Sequence, residues 1–555
     1  MAVKSENYLT RIRNFKNRHN IIWKTYAILA AVPAVIRAKR AFSKVKYTRG
    51  KTNCKVVVFS VRTIPEANLT YFDAIFAHGF RKLGCDVKML ICGGLLDSCD
   101  ADTVIEDQRK VCFVCNRFRP LVKYSTGLDY IPFRQYISPS DIEDIVGLVG
   151  KLDFEACGNY EYLGVPVGQH ARAAAIRYFL SGWLDPDNPQ HRAMLRKKLV
   201  YCMTMTKIAS NLYSREKPDR VFMLHGIYAT WGPFADYFIS QGVDVIIYAQ
   251  TASRLGCFLF SRNSREYELV AKKAWTDFSK SPLSDEEEAQ IDAYLSSRFQ
   301  GTLGERLVYE KNIDPKSDKK AALTALSDKG YSKRYVLFPN LAWDACVEGR
   351  GSPVFVDIFS WLEGTIDYFT KHPDYQLIIK LHPAELVWEK GTTSVGEYIR
   401  SKFPELPRNI SVLKPDTPLS AYDLITSDTI CLTFNGTIGL EMATQGVPVL
   451  APGNAHYIDA GITRKVGVAR EYFRLLDNPA ELIEFARKNQ KLAKKYAYFY
   501  FLRVMIPIPF YRTDIWGPID RAALGKINEI LDDNRTVMQI CQRIIGKEDI
   551  VLPFV

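Results

Sequence analysis

The chain has 555 residues and a formal net charge of +13, with 47% hydrophobic and 24% charged residues. The first 55 residues hold 14 basic side chains and one acid, Glu6, whereas the remaining 500 residues hold 60 of each sign. A neutral body argues against a nucleic-acid-binding protein that is basic throughout. The length and composition also exclude a collagenous, low-complexity or small disulfide-scaffold protein and favour several globular domains.

The basic N-terminal segment, residues 1–50, is called the N-terminal arm below. Its uncharged stretch, 25–36, has twelve residues and contains Pro33, so it is too short for a membrane span of about 20 residues. Apolar positions between Lys and Arg residues instead predict a helical arm that lies on an anionic membrane surface. The alternative is a frayed arm with no binding role. Because the twelve cysteines show no secreted disulfide pattern, we expect a cytoplasmic protein, peripheral on the inner face of the cell membrane.

Strand and helix signals begin to alternate at residue 55. A β-branched run predicts a strand that is buried on both faces, and it is followed by apolar residues at helical spacing and a second strand. These three elements are 55–61, 69–84 and 85–92. Another strand–helix–strand unit spans 218–250, and a helical stretch lies between the two units. We therefore predict a Rossmann-like N-terminal domain over 51–275.

A second alternation follows a helix and polar linker predicted at 276–330. Its predicted strands are 334–340, 375–383, 409–415, 428–436 and 447–453. They indicate a second Rossmann-like domain at 331–480, and 481–555 is predicted to form C-terminal helices that pack back on the first domain. The predicted fold class is α/β, with two Rossmann-like domains, a C-terminal helical tail and the basic helical arm. This layout resembles the GT-B arrangement of nucleotide-sugar glycosyltransferases, which implies that the N-terminal domain binds the acceptor, although such domains host many functions.

The segment 428–453 carries the sharpest chemical signal. A hydrophobic strand ends at Asn435 and Gly436, and a helix is predicted to begin at Thr437. The unpaired N–H groups and the positive end of that helix would form an anion site, to which Thr437 adds a hydroxyl donor. Glu441 lies one helical turn further on and can accept hydrogen bonds from ribose hydroxyls. The alternative is an ordinary strand–turn–helix in which Thr437 is a cap and Glu441 is solvated.

His382 is the second candidate, because it follows a predicted strand at the edge where open α/β sheets bind ligands. The imidazole can donate to a phosphate oxygen, Lys380 can add positive charge, and Glu385 can orient the imidazole. Pro383 fixes the loop just after it. The alternative is an ordinary structural histidine in a loop.

Three motifs together resemble those of the bacterial capsule polysaccharide biosynthesis glycosyltransferases. They are FPNLAWDA (338–345), IIKLHPAE (378–385) and TFNGTIGLEMATQGVPVLAPGNAHY (433–457). The similarity covers about 331–475, whereas the N-terminal half matches only in layout. The His-Pro pair and the Thr-bearing turn are also similar to the paired motifs of bacterial sialyltransferases and Kdo transferases, which hold the phosphate of a CMP-sugar.

The resemblance implies a GT-B enzyme that moves a sugar from a nucleotide donor, CMP- or UDP-linked, onto a growing surface glycan. The implied partners are a lipid-linked or oligosaccharide acceptor and an anionic membrane surface, with no nucleic acid. By the same resemblance, His382 and Thr437 bind phosphate and Glu441 binds the nucleotide ribose. The remaining expected donor-site residues are Lys380, Glu385, Asn435, Gly436 and Gly439.

An inverting transfer needs a base that deprotonates the acceptor hydroxyl, and GT-B enzymes usually take it from the N-terminal half. The candidates are His225, at the end of a predicted strand, Glu66, in the loop after the first strand, and Asp344, in the donor half. Each of them is equally compatible with an ordinary loop residue, and a retaining mechanism would not need this base. No cofactor or metal is expected to be required, because the helix dipole, His382 and Lys380 can stabilise the leaving phosphate.

Four cysteines fall within 24 residues of the N-terminal half and are candidates for a structural zinc site: Cys92, Cys99, Cys112 and Cys115. The first pair is separated by six residues, outside the usual two to four, and the alternative is four reduced thiols or a redox-labile pair.

Three other functions remain compatible with the sequence. One is a CDP-polyol phosphotransferase of the teichoic-acid type, which shares a His-Pro segment and a phosphate-binding helix start. Another is a catalytically silent GT-B scaffold in polysaccharide assembly. A nucleotide-sugar epimerase is a third possibility, and it would need neither an acceptor nor a membrane arm.

Overall fold

The computed structural model describes most of the chain. The described residues are 32–33, 35–47, 52–61, 69–96, 99–100, 108–251, 253–264, 272–301, 318–326, 330–344, 352, 354–388, 394–514, 519–520 and 522–553. The side chains of 108–111 and 114 are outside this description.

Among its described residues, the N-terminal half contains six strands and eight α-helices, besides the helical residues 35–42 of the arm. The strands are β1 (Lys55–Phe59), β2 (Asp86–Ile91), β3 (Tyr130–Pro132), β4 (Arg220–Leu224), β5 (Asp244–Gln250) and β6 (Cys257–Arg262). The helices are α1 (Leu69–Lys82), α2 (Gln108–Thr126), α3 (Pro139–Gly150), α4 (Phe154–Asn159), α5 (Val167–Phe179), α6 (Pro189–Glu216), α7 (Tyr228–Ser240) and α8 (Lys272–Phe278).

The strands of this half form one twisted sheet with the order β3-β2-β1-β4-β5-β6, in which only β6 is antiparallel to its neighbour β5. The first strand is buried on both faces: Val57 and Phe59 contribute to one hydrophobic core, and Val56 and Val58 to the other. The predicted β-α-β opening is therefore confirmed. Since the strand order reverses between β1 and β4, the switch point of this sheet lies there.

In the described part of the connection to the second half lie the helices α9 (Asp285–Phe299) and α10 (Lys319–Ala325). A capping box at Ser284 begins α9, because the Ser284 hydroxyl accepts from the N–H of Glu287 and the Glu287 carboxylate accepts from the N–H of Ser284.

The second half contains five strands, β7 (Lys333–Phe338), β8 (Tyr375–Lys380), β9 (Ile410–Leu413), β10 (Thr429–Thr433) and β11 (Val449–Leu450). Its helices are α11 (Ile358–Lys371), α12 (Glu385–Trp388), α13 (Val395–Lys402), α14 (Ile438–Thr444) and α15 (Ala469–Asp477). The order is β9-β8-β7-β10-β11 and all pairs are parallel, so the switch point lies between β7 and β10.

The tail consists of α16 (Ala480–Tyr498), β12 (Ile506–Pro507), α17 (Ile527–Ile530) and α18 (Thr536–Gly546). Helix α16 packs on α9 and α14, after which β12 pairs with β6 as the seventh strand of the first sheet and α18 packs on α1. Arg220 fixes this return by donating to the carbonyls of Ile544 and Ile545, at 3.1 and 2.7 Å. The predicted α/β fold class, with two Rossmann-like domains of the GT-B type and a tail that packs back, is confirmed.

The end of the N-terminal arm is part of the folded body. Residues 35–42 are helical, and Val35, Ala38 and Phe42 are buried. The Phe42 ring stacks on His78 of α1 at 4.5 Å, and the Tyr47 hydroxyl lies 2.6 Å from His78 Nδ1. The interfacial role that we expected for the whole arm is therefore left to its first part, residues 1–31, which lies outside the described residues. No helix in the described ranges is long and apolar enough to cross a membrane.

Candidate functional site

The loops after the strands of the second sheet contact the first half of the molecule. Trp343, in the loop after β7, packs against the hydrophobic core of the N-terminal half. On the other side of that contact, the Trp183 ring meets the Phe359 ring edge-on at 5.3 Å. The carboxyl edge of the second sheet is thus the side that faces the other domain, and ligands of open α/β sheets bind at that edge.

The switch point of the second sheet is lined by Asn340, just after β7, and by the turn after β10. The N–H of Asn435 donates to Asn340 Oδ1 at 3.3 Å, and the N–H of Gly436 donates to Thr433 Oγ1 at 3.3 Å. The N–H groups of Thr437 and Ile438 make no hydrogen bond within the residues that the structure describes. Two donors of the turn therefore remain for a ligand. We call this the donor crevice.

Gly439 allows the tight packing that fixes this turn. The Tyr457 hydroxyl donates to the Gly436 carbonyl at 2.8 Å, and a Cβ at Gly439 would overlap that same hydroxyl. A glycine is thus required at this position for close approach of a side chain, because Tyr457 crosses directly over the first turn of α14.

His382 follows β8, on the far side of β7 from the turn. Its Nδ1 accepts the N–H of Ala384 at 3.1 Å, so the neutral ring carries its proton on Nε2. Burial, with the neighbouring Lys380 charge as a smaller cause, lowers the pKa of His382 to about 4. The imidazole is therefore neutral at physiological pH and acts as a hydrogen-bond donor through Nε2, which fits the phosphate role implied by the resemblance.

Glu385 does not orient the imidazole, contrary to expectation, because the His382 ring is held by its own loop. The Glu385 carboxylate instead accepts from the N–H groups of Val395 and Gly396 at the start of α13, and burial raises its pKa to about 7. Lys380 is buried, and its Nζ lies 3.3 Å from the Lys414 carbonyl after β9. The ammonium group therefore has a contact on the β9 side of the sheet, opposite to the donor crevice.

Glu441 is the centre of a buried ion pair. Arg298 of α9 donates to one carboxylate oxygen and the Tyr422 hydroxyl donates to the other, and Glu441 is 1% exposed. Arg298 also donates to the Ser253 carbonyl at 3.2 Å, so the pair joins both halves of the molecule. Glu441 is not solvated, and the ribose role implied by the resemblance would require this pair to open.

His225 follows β4 at the switch point of the first sheet. The backbone is left-handed at Gly226 (φ +63), where a glycine adopts it without strain, and also at His225 (φ +20) and Tyr228 (φ +61). Strain at two non-glycine residues so close together is typical of functional sites. His225 Nδ1 accepts the N–H of Ile227 at 3.1 Å, so the neutral ring carries its proton on Nε2. This tautomer does not fit the predicted base, because a base that acts through Nε2 needs a lone pair there. It fits a hydrogen-bond donor.

The other two base candidates are carboxylates. Asp344 is half-buried beside Trp343, and its N–H donates to the Leu341 carbonyl at 3.1 Å. Glu66 lies outside the described residues. Asp344 is therefore the candidate in the described chain that can accept a proton.

The structural zinc site expected at the four cysteines gains no support from a grouping of metal ligands. Cys112 and Cys115 lie one turn apart on α2. No group of three or more His, Cys, Asp or Glu side chains suited to a metal occurs among the described residues. Burial raises the pKa of Cys92 to about 11, and all four cysteines are free thiols.

Beside the donor crevice, a cavity of about 350 Å³ lies between the two halves. It follows the ends of β7, β8 and β9 and is lined, among others, by Leu180, Trp343, Leu381, Glu385, Arg400 and Lys414.

Sequence reasoning missed Asn340, Tyr457 and Arg298. Asn340 ends a strand just as Asn435 does, so its position was a usable signal. Arg298 and Tyr457 have no local signal, because each reaches its partner from a distant part of the chain.

Comparisons with known proteins agree with the fold and assign no activity. No family model matches the chain, and no curated protein matches it. Seventy-two chains of solved structures match. KpsC of Thermosulfurimonas dismutans, a beta Kdo 2,4 transferase, is 14% identical over 57% of this chain and 88% of its own, with a TM-score of 0.34.

Two further similar structures are of an epimerase and a rhamnosyltransferase, whose activities differ from each other and from that of KpsC. The UDP-GlcNAc 2-epimerase of Neisseria meningitidis is 13% identical over 80% of this chain and 97% of its own, with a TM-score of 0.24. The spinosyn rhamnosyltransferase SpnG is 9% identical over 85% of this chain and 99% of its own, with a TM-score of 0.25. These are similarities of fold at low identity.

Proposed function

We propose that this chain is a GT-B glycosyltransferase that moves a sugar from a nucleotide-sugar donor onto a growing surface glycan of the capsule, exopolysaccharide or lipopolysaccharide type. The observation that carries the proposal is the donor crevice. The N–H groups of Thr437 and Ile438, which have no acceptor among the described residues, lie on one side of the end of β7, and the neutral His382 donor lies on the other.

The spacing of the sheet supports a phosphate ligand. Strands β8 and β10 flank β7, so their ends are about 10 Å apart. A nucleoside phosphate that lies across the end of β7 can accept hydrogen bonds from both sides. These donors are fixed by backbone contacts before the ligand arrives, which is how preorganised dipoles stabilise a leaving phosphate.

In an inverting transfer, the acceptor oxygen attacks the anomeric carbon while the bond from that carbon to the phosphate oxygen breaks. Asp344 or Glu66 would take the acceptor proton, and the donor crevice would hold the departing nucleotide. We propose that no metal is needed for this step, because the N–H groups and His382 supply the donors. His225 would donate a hydrogen bond from the N-terminal half of the molecule.

The proposal is tested with purified full-length protein and a panel of CMP-, UDP-, GDP- and CDP-activated donors. We expect thermal stabilisation by CMP- or UDP-sugars and nucleotide release that increases when a glycan acceptor is added. Stabilisation by CDP-glycerol alone would instead indicate the phosphotransferase. Conversion of the sugar without an acceptor would indicate an epimerase, and no response to any donor would indicate a silent scaffold.

We also propose that residues 1–31 hold the enzyme on the anionic inner face of the cell membrane, near a lipid-linked acceptor. Deletion of 1–31 should abolish sedimentation with vesicles that contain anionic lipid and leave the folded body intact, because 35–47 is retained. Vesicles of neutral lipid serve as the control. Undiminished binding of the truncated protein to anionic vesicles would refute this role.

A further inference from the structure

Two cysteines lie side by side at the amino ends of the first two strands. Cys54 directly precedes β1 and Cys85 directly precedes β2, and the register of this parallel pair aligns Lys55 with Asp86. The N–H of Asp86 donates to the Cys54 carbonyl at 3.0 Å, so the alignment extends to the two cysteines. Both side chains contact the hydrophobic core between this sheet and the helices α1 and α18. They lie at the end of the sheet that is opposite to its switch point.

The spacing of neighbouring strands places the two cysteines within range of a disulfide. Paired strands lie about 4.8 Å apart, and disulfides join residues whose Cα atoms are about 4.4–6.8 Å apart. The two thiols are hydrogen-bonded to each other, and the Thr52 hydroxyl donates to the Cys85 sulfur at 3.7 Å. Both are free thiols in the structure. A bond between the two sulfurs therefore needs only a small local rearrangement.

A buried arginine stabilises negative charge on one of the two sulfurs. Arg220, at the start of β4, donates from Nη1 to Cys54 Sγ at 3.0 Å and is 7% exposed. Its other donors bind the carbonyls of Ile544 and Ile545, and its Nε lies 3.4 Å from the Asp244 carboxylate. These contacts fix the guanidinium beside the Cys54 sulfur, where a nearby cation favours the thiolate form.

The two thiols differ in charge and in exposure. The hydrogen bond from the Cys85 thiol is the main cause that lowers the pKa of Cys54 to about 7, and the Arg220 charge adds to it, whereas burial and the Asp219 carboxylate act in the opposite direction. The same hydrogen bond and burial raise the pKa of Cys85. Cys54 is half-buried beside exposed neighbours in the chain, and Cys85 is buried. An oxidant from solvent therefore meets the thiolate of Cys54 first.

We propose that Cys54 and Cys85 form a redox-reactive dithiol site, in which a hydroperoxide oxidises Cys54 and Cys85 then closes a reversible disulfide. The Cys54 thiolate attacks one oxygen of hydrogen peroxide, so that an S–O bond forms, the O–O bond breaks and hydroxide leaves. Cys54 becomes a sulfenic acid, and the peroxide is reduced. The Cys85 sulfur then attacks the Cys54 sulfur, the S–O bond breaks, and the departing oxygen takes the Cys85 proton and leaves as water. This chemistry is independent of glycosyl transfer.

The experiment treats the reduced full-length protein with hydrogen peroxide at pH 7 and maps its cysteines by mass spectrometry of non-reduced peptides. We expect a linked pair of peptides that contain Cys54 and Cys85, and dithiothreitol should remove the link. Cys85→Ser should stop at a sulfenic acid of Cys54, which dimedone traps, and Cys54→Ser should leave Cys85 reduced. Cys112→Ser is the matched control, because it removes another half-buried thiol, on α2, and should leave the link unchanged.

A second measurement needs no substitution. The rate at which iodoacetamide alkylates Cys54 in the wild type should reach half of its maximum near pH 7. A rate that still rises about tenfold per pH unit above pH 8 would show that no thiolate is stabilised and would overturn the proposal. Absence of the link in the oxidised wild type would overturn it as well, as would oxidation of other cysteines while Cys54 and Cys85 stay reduced.

Discussion

Replacement of Arg298 by methionine is expected to lower the free energy of unfolding by about 3–5 kcal/mol, because it leaves a buried carboxylate without its counter-charge. The side chains of Arg298 and Glu441 are 9% and 2% exposed, so water cannot take over the role of the guanidinium. The substitution also removes the donor to the Ser253 carbonyl, which Tyr294 shares at 3.0 Å. The substitution therefore removes one contact of the connecting helix with each of the two domains.

Urea unfolding of the full chain checks this expectation, with Asp292→Asn as the matched control. Asp292 lies on the same helix, and its pair with Lys494 is 2.8 Å long and solvent-exposed, so its loss should cost about 0–1 kcal/mol. The additional substitution Glu441→Gln in Arg298→Met should restore part of the stability, because a neutral amide is cheaper to bury than a carboxylate. A cost below about 1 kcal/mol for Arg298→Met would contradict the importance of this pair.

The largest kinetic effect is expected at His225. If its Nε2–H stabilises charge that develops during transfer, His225→Ala should lower kcat by about 10²–10³-fold, the usual effect of removing one preorganised donor. His225→Gln should retain part of the activity, since its amide can also donate. Steady-state kinetics with the donor found in the panel supply the measurement.

The pH dependence of kcat separates a donor from a base. The hydrogen bond from the Ile227 N–H to Nδ1 keeps the proton of the neutral ring on Nε2, so His225 should donate a hydrogen bond and not take the acceptor proton. The limb of the profile that reports the base should therefore survive in His225→Gln. If that limb is present in the wild-type profile and absent from the profile of His225→Gln, His225 is the base after all.

Most of the fold is predictable from the sequence, because the buried parallel strands are continuous apolar runs. The run 55–59 is apolar at every position after Lys55, as expected for a strand between two helical layers. Some elements were not predicted. The helix 108–126 and the short edge strand Tyr130–Pro132 lie in or beside a stretch that was considered only for its cysteines. Strand β6 was missed because it pairs antiparallel, outside the β-α-β rhythm.

The positions of the candidate residues were more predictable than their contacts. His225, His382 and Thr437 follow strands, and all carboxyl ends of parallel strands meet at one edge. The partner of Glu441 lies 143 residues away in sequence, and no local pattern shows it. The tautomers of His225 and His382 depend on which backbone N–H reaches Nδ1, a property of loop geometry alone.

The central claim, that a nucleotide binds across the end of β7, is tested most directly by calorimetric titration of the preferred nucleotide into His382→Ala. His372→Ala is the matched control, because His372 precedes β8 at the opposite end of the same strand. We expect His382→Ala to bind the nucleotide about tenfold or more weakly and His372→Ala to bind it as the wild type does. Because the pKa of His382 is about 4, the difference should persist between about pH 6 and 8. Equal affinity of His382→Ala and the wild type would contradict the account.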